Sequence, residues 1–381
     1  MALRIGINTL FLDGSQQSSL ANFVVAFVAA MVEHVPQHRL VVFASPSTAK
    51  FFDRLPTASI DLVHCPVSNE TRWARILYEQ VRLPTVIARY RVDVLCCLAD
   101  VSPLRVKVPV VLKVNTLHHY TAPAALGLLR RLYRRLMIGA SARRARLVVA
   151  NSKPTASDIH TLLGIPDDRI RLVYEAVDDC FVPYADQFEL DRILKTRFGI
   201  TDKYLLFVSA LYKYKRLNEL IRAFELLVAT DRWHGDLVIA GPDPHKTQRE
   251  SEQLAESLSI GHRVRFLGPV DNEHLRELYC GASAFVYPSA SETFGKPIVE
   301  AMRCGTPIVA ADRGSIPDIA AGAALLVDPD NIEGMANAID KLLTDSRLRS
   351  DLREIGLRRG RDFSWRNVAL GFSGVLEEAM A

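Results

Sequence analysis

The sequence predicts an α/β protein made of two parallel-sheet domains. Short β-branched runs alternate with helix-length segments along the chain, and the alternation restarts after a polar stretch near its middle. The length agrees, since 381 residues exceed the size at which a single hydrophobic core usually stops growing.

In the first half, residues 3–7, 39–44, 94–98, 108–114 and 146–150 are apolar runs too short for helices and read as buried strands. A polar stretch follows Asp178, Asp179 and Pro183. Tyr204-Leu205-Leu206-Phe207-Val208 then opens a second series, continued by residues 237–240, 264–267, 284–287 and 307–310. In such sheets ligands bind beyond the carboxyl ends of the strands, so the loops after these runs are where chemistry is expected. The expected domains are 1–183 and 184–360, with 361–381 as a helix folding back on the first; Phe363-Ser364-Trp365 and the amphipathic spacing after it suggest that return.

Composition excludes several classes. With 49% hydrophobic and 24% charged residues the chain is neither disordered nor fibrous. The longest apolar candidate, residues 23–32, falls short of the roughly 20 residues a membrane span needs. The six cysteines form no Cys-x-x-Cys pair, against both a zinc site and a disulfide scaffold. Residues 1–12 read as a strand and not as an export signal. A reducing cytoplasm is the expected location.

Net charge is only +4, yet residues 101–157 hold eleven basic side chains and no acid, among them Arg130, Arg131, Arg134, Arg135, Arg143, Arg144 and Arg146. Acids brought near by the fold would make this an ordinary solvated helix face. Alternatively it suits peripheral contact with anionic headgroups on the inner membrane face, or a diphosphate-bearing acceptor. No nucleic-acid partner is expected.

The most informative string is Ser291-Glu292-Thr293-Phe294-Gly295-Lys296-Pro297-Ile298-Val299-Glu300-Ala301-Met302-Arg303-Cys304-Gly305. Pro297 suits a first helical turn, where its missing N–H is an orphan anyway, and Gly305 suits the position just past the helix end. Free amides and the helix dipole then make an anion site, and Gly295 lets a ligand approach the backbone closely. Carboxylates beside a diphosphate would repel it. Glu292 and Glu300 therefore serve neutral hydroxyls, such as those of a sugar and a ribose, which donate hydrogen bonds to ionised carboxylates.

Two glutamates with seven residues between them, preceded by Tyr287-Pro288-Ser289 and followed by Gly305-Thr306-Pro307-Ile308-Val309, resemble the retaining GT-B glycosyltransferases of family 4. The resemblance continues through Ser315-Ile316-Pro317-Asp318 and Ala323-Ala324-Leu325-Leu326-Val327-Asp328-Pro329, covering essentially residues 204–345. It implies the GT-B architecture: two doubly wound, Rossmann-like parallel-sheet domains with an interdomain cleft. It places Glu292 against the donor sugar near the reacting centre and Glu300 on the ribose, with backbone groups around Phe294, Gly295 and Lys296 on sugar hydroxyls and phosphate. In Ser209-Ala210-Leu211-Tyr212-Lys213-Tyr214-Lys215-Arg216-Leu217, Lys215 takes the place of the family's diphosphate lysine. Departure of a nucleoside diphosphate builds negative charge that such a cation stabilises. The arginine often found five residues earlier is Ala210 here, which leaves Lys213 or Arg216 to compensate; Ser209 and Arg216 are counted as donor-binding.

The first half resembles the family more weakly, through Glu79-Gln80 with Leu83-Pro84 and through Ala150-Asn151-Ser152. The loop Asp13-Gly14-Ser15-Gln16-Gln17-Ser18-Ser19 carries one glycine where the family has a pair, so Gly14 is the candidate there. The family's His-Asp pair appears as Asn115-Thr116, with His118, His119 and Tyr120 close behind. Asn115 is assigned to the donor and His118 to catalysis.

Several alternatives are excluded or set aside. Asp328-Pro329-Asp330 sits in a proline turn and implies no metal. The chain lacks both a Gly-x-Gly-x-x-Gly after its first strand and a Walker loop, against dehydrogenases and ATPases. A non-hydrolysing sugar-nucleotide epimerase would need acid/base carboxylates and histidines around the donor sugar. A non-catalytic nucleotide- or partner-binding protein of the same fold is the competing reading, and donor turnover separates the two. The resemblance thus implies a metal-independent hexosyltransferase with no cofactor, moving mannose or glucose from a GDP- or UDP-hexose to a glycan or lipid-linked acceptor in cell-surface polysaccharide synthesis.

Overall fold

The computed structural model describes residues 2–13, 19–53, 55–56, 59–117 and 128–381. Gly14, His118, His119 and Tyr120 lie outside the described residues. The chain divides into two compact units, one of Met1–Glu175 with Trp365–Ala381 and one of Ala176–Ser364.

The first unit holds a parallel sheet in the order β3-β2-β1-β4-β5-β6-β7. Its strands are β1 (Arg4–Asn8), β2 (Arg39–Ala44), β3 (Ile60–His64), β4 (Val94–Cys97), β5 (Val110–Val114), β6 (Leu147–Ala150) and β7 (Ile170–Leu172). The second holds β10-β9-β8-β11-β12-β13, from β8 (Tyr204–Val208), β9 (Asp236–Ala240), β10 (Val264–Gly268), β11 (Ala284–Tyr287), β12 (Ile308–Ala311) and β13 (Ala324–Val327). Every pairing is parallel. Both sheets are doubly wound, as expected. Strand order reverses between β1 and β4 in one and between β8 and β11 in the other, and at such switch points the diverging loops leave a crevice.

Apart from β10, an edge strand that is only partly buried, the apolar runs read from sequence are central strands; β4, β5, β6, β8, β11 and β12 are buried at every residue. The strands that sequence did not resolve, β3, β7 and β13, are all sheet edges. Their residues are only partly buried, as in Ile60-Asp61-Leu62-Val63-His64, so no continuous apolar run marks them.

The unit boundary falls at Glu175/Ala176 and not at 183/184. The intervening segment is held by the second unit: the Phe181 ring meets Tyr279 edge-on at 5.9 Å, and Arg303 Nε donates to Phe181 O at 3.1 Å. Phe363 likewise stays with that unit, edge-on to Phe294 at 5.7 Å, so the returning element begins at Trp365 and not at 361. The Trp365–Glu378 helix then packs on the Ser19–His34 helix within the first unit, through Phe27 against Phe372 at 4.8 Å and Phe23 against Trp365 at 5.6 Å.

Candidate active site

The loops leaving β8 and β11 meet at the switch point of the second sheet. The β8 loop ends in a short 3-10 turn, Lys213–Lys215, and Arg216 then adopts a left-handed conformation to start the Leu217–Ala229 helix. Ala290 N donates to Tyr214 O at 2.8 Å, tying the two loops together. Their side chains close a triangle. Lys215 Nζ donates to Glu292 Oε1 at 2.5 Å and to Tyr287 Oη at 2.8 Å, and Tyr287 Oη donates to Glu292 Oε1 at 2.7 Å. Lys215 is buried and Tyr287 fully so. Burial, reinforced by the Glu292 charge, pushes the Tyr287 hydroxyl well above its usual pKa, so it acts as a fixed hydrogen-bond group.

The Lys296–Cys304 helix follows, with Pro297 in its first turn and Gly305 left-handed just past its end, as the sequence predicts. Gly295 is its N-cap at φ 93°, a region that disfavours residues with a Cβ. Among the described residues the backbone amides of Phe294 and Gly295 donate to no partner. Two orphan donors at a helix N-terminus attract an anion. The loop is braced from the other side: Ser315 N donates to Glu292 O at 3.1 Å and Ser315 Oγ to Phe294 O at 2.9 Å. Gly314 presses on the same loop, where a Cβ would lie 2.8 Å from Glu292 O.

Glu300 sits in the second turn, its carboxylate accepting from Tyr279 Oη at 2.9 Å. Burial lifts its pKa to about 7, with Tyr279 and the Lys296 charge partly opposing the rise. Near neutrality it can therefore both donate and accept.

The remaining donor candidates have other partners. Arg216 pairs with Glu219 at 2.9 Å and Asp330 at 2.7 Å, and the exposed Lys213 with Glu250 at 3.4 Å. Ser209 Oγ donates to Ala210 O at 3.1 Å. Asn115 lies in the first unit with its carboxamide committed: Nδ2 donates to Leu98 O at 2.8 Å and Oδ1 accepts from Lys113. Lys113, fully buried, also pairs with Glu175 at 2.8 Å.

Sequence reasoning passed over Tyr287 and Tyr279 as site residues; a tyrosine ending the buried run Ala284-Phe285-Val286-Tyr287 was the available signal. It also missed a cavity of about 550 Å³ at the switch point of the first sheet, where Phe11 after β1 and Asp100 after β4 face Asn69, Arg75, Tyr133 and Arg134. Asp100, its pKa raised by burial, pairs with Arg134 at 3.1 Å, while Asn69 Oδ1 and Arg75 Nε are buried without partners. Asn69 and Arg75 both line the cavity, and a buried polar atom without a partner is uncommon enough to mark the spot. Among the described residues no group of three or more His, Cys, Asp or Glu side chains could hold a metal.

Two doubly wound sheets, each with polar groups at its switch point, define a two-domain nucleotide-type fold, and comparison with known proteins specifies it. The profile described as Glycosyl transferases group 1 matches residues 193–359, and that described as Glycosyltransferase Family 4 matches residues 20–180. The chain belongs to the group 1 glycosyltransferases of GT-B fold. It is similar to O-antigen chain mannosyltransferase B of Escherichia coli, 30% identical over 226 residues, 58% of each chain. It is also similar to D-inositol 3-phosphate glycosyltransferase of Salinispora arenicola, 32% identical over 61% of this chain and 55% of that protein. The chain thus spans under two thirds of these relatives' lengths. Among solved structures, sucrose-phosphate synthase from Thermosynechococcus elongatus superposes with TM-score 0.78 at 19% identity, covering 99% of this chain and 98% of that one. Anabaena HepE in complex with UDP superposes at 0.75 and 17% identity, covering 99% and 100%.

Proposed function

We propose that the chain transfers a hexosyl group, mannose or glucose, from a UDP- or GDP-linked donor to a glycan or lipid-linked acceptor in surface-polysaccharide synthesis, with retention of anomeric configuration. The Lys215–Tyr287–Glu292 triangle beside the free amides of Phe294 and Gly295 carries this reading, because it combines a buried cation, orphan donors and a carboxylate at one sheet switch point. The mannosyltransferase relative and the UDP complex of a similar fold support the donor class.

In this reading the diphosphate takes the free amides and Lys215, which exchanges its Glu292 partner for phosphate oxygen. Glu292 is thereby freed for the sugar hydroxyls and the positive charge developing at the anomeric carbon. Glu300 takes the ribose hydroxyls. The acceptor hydroxyl attacks from the face the diphosphate leaves, and the leaving phosphate is stabilised by Lys215 without a resident metal; one such preorganised donor contributes roughly 10²–10³ in rate. The cavity of about 550 Å³ in the first unit, lined by Asn69, Arg75, Tyr133 and Arg134, receives the acceptor's polar end.

The test is incubation of purified chain with UDP-glucose and GDP-mannose in EDTA, followed by NMR of the new anomeric bond. Nucleotide release with a retained anomer is expected. Binding without turnover on any acceptor would favour the non-catalytic reading, and an inverted anomer would overturn the mechanism.

A further inference from the structure

Large apolar side chains on a protein surface are normally scattered, and a contiguous exposed patch marks an interaction site. In the first unit five of them gather on two helices. The Arg72–Val81 helix exposes Trp73 (73%), Leu77 (65%) and Val81 (51%), spaced four residues apart and hence on one stripe. The Leu128–Arg144 helix exposes Leu132 (53%) and Leu136 (61%) at the same spacing. Trp73 and Tyr133 meet edge-on at 6.1 Å, which sets the stripes side by side.

The charge around this face is mainly positive, with the exposed Glu70 before the first helix as its carboxylate. Arg72, Arg82 and Arg135 are exposed beside the stripes. The acid of the first helix, Glu79, is buried under Arg75 at 2.6 Å and Asn8 at 2.9 Å, and the second helix has no acid at all. Apolar stripes with tryptophan, rimmed by more arginine than carboxylate, match a bilayer boundary of acyl chains and phosphates. A protein partner would have to be equally apolar and acidic. No helix among the described residues is long and apolar enough to cross a membrane, so the contact is in-plane.

We propose that this face seats the chain on an anionic phospholipid bilayer, with Trp73, Leu77, Leu132 and Leu136 entering the headgroup boundary and the arginines on lipid phosphates. Trp73 and Arg72 also line the cavity that the proposed function gives to the acceptor, but lipid binding requires no donor, so the proposal stands apart from the donor chemistry.

The experiment is co-sedimentation of the purified chain with vesicles of phosphatidylcholine alone or mixed with phosphatidylglycerol, together with quenching of tryptophan emission by brominated lipid. Binding only to the anionic vesicles, weakened by salt, with quenching lost in Trp73→Phe, is expected. The double variant Leu77→Glu, Leu136→Glu replaces exposed side chains and should melt as the parent does, yet bind the anionic vesicles at least about tenfold more weakly. Absence of binding to phosphatidylglycerol vesicles, or equal binding by the double variant, would overturn the proposal. So would a lipid-free oligomer that the double variant dissolves, which would make the face an interface between copies. Failure of nucleotides to bind in a parallel thermal-shift control would count against the transferase reading alone.

Discussion

Lys215 Nζ lies 2.5 Å from Glu292 Oε1, and Tyr287 bonds to both, so the cation and the carboxylate assigned to opposite ends of the donor hold each other in place before any donor arrives. The mutual pairing satisfies two charges that would be costly to leave alone in a half-dry loop cluster. Under the proposed function, diphosphate binding would then be an exchange of partners.

Replacing Glu292 should therefore separate binding from chemistry. Glu292→Gln keeps an acceptor for Tyr287 and Lys215 but removes the negative charge. It is expected to lower kcat by about 10²–10³ while the nucleotide Kd changes little, by titration calorimetry and steady-state kinetics. An unchanged kcat would remove Glu292 from the reacting centre.

Glu300 predicts a pH dependence. Its folded pKa of about 7 is raised above the ordinary carboxylate value, so the folded state holds the proton more tightly than the unfolded state. Its contribution to stability is present below the unfolded pKa and is lost as pH rises through about 7, costing on the order of 3 kcal/mol above it. Glu300→Gln should flatten the stability curve of the free protein between pH 5 and 8, roughly the span of this titration. The ionised form accepts ribose hydroxyls more strongly, so nucleotide affinity should rise with pH through neutrality in the parent and stay flat and weak in the variant.

Gly314→Ala tests the brace behind Glu292. The new Cβ would meet Glu292 O at 2.8 Å, and the backbone at φ 58° is strained for alanine by about 1–2 kcal/mol. Activity should fall more than the melting temperature suggests, because the displaced atoms belong to the loop that carries Glu292. A variant with parental kcat would show that this contact does not position Glu292.

The Lys113–Glu175 pair predicts a stability effect in the first unit. Glu175→Ala would leave the Lys113 ammonium buried with only Asn115 as a polar partner, at a cost of about 3–5 kcal/mol, read from chemical denaturation. A change below about 1 kcal/mol would mean that solvent reaches Lys113 readily.

What sequence revealed and what it hid follow one physical line. Central strands such as Tyr204–Val208 and Ala284–Tyr287 are buried on both faces and write themselves as apolar runs; edge strands such as Ile170–Leu172 do not. Pro297 and Gly305 bound the Lys296–Cys304 helix through backbone chemistry that is local in sequence, so that element was legible. The triangle was not, since Lys215 and Tyr287 are 72 residues apart and only the sheet order brings them together. Asn115 shows the converse: its motif position pointed to the donor, while its carboxamide is spent on Leu98 and Lys113. Phe181 and Phe363 moved both domain boundaries through packing that no composition shift announces.

The central claim is that Lys215 and its neighbours form a nucleoside-diphosphate site, and thermal unfolding of the parent and Lys215→Ala with UDP, GDP and ADP tests it most directly. A ligand at 100 times its Kd stabilises the fold by about 2.7 kcal/mol, a clear rise in Tm. One nucleotide stabilising the parent and leaving Lys215→Ala unmoved is the predicted result; no response to any of the three, or an equal response in the variant, would contradict it.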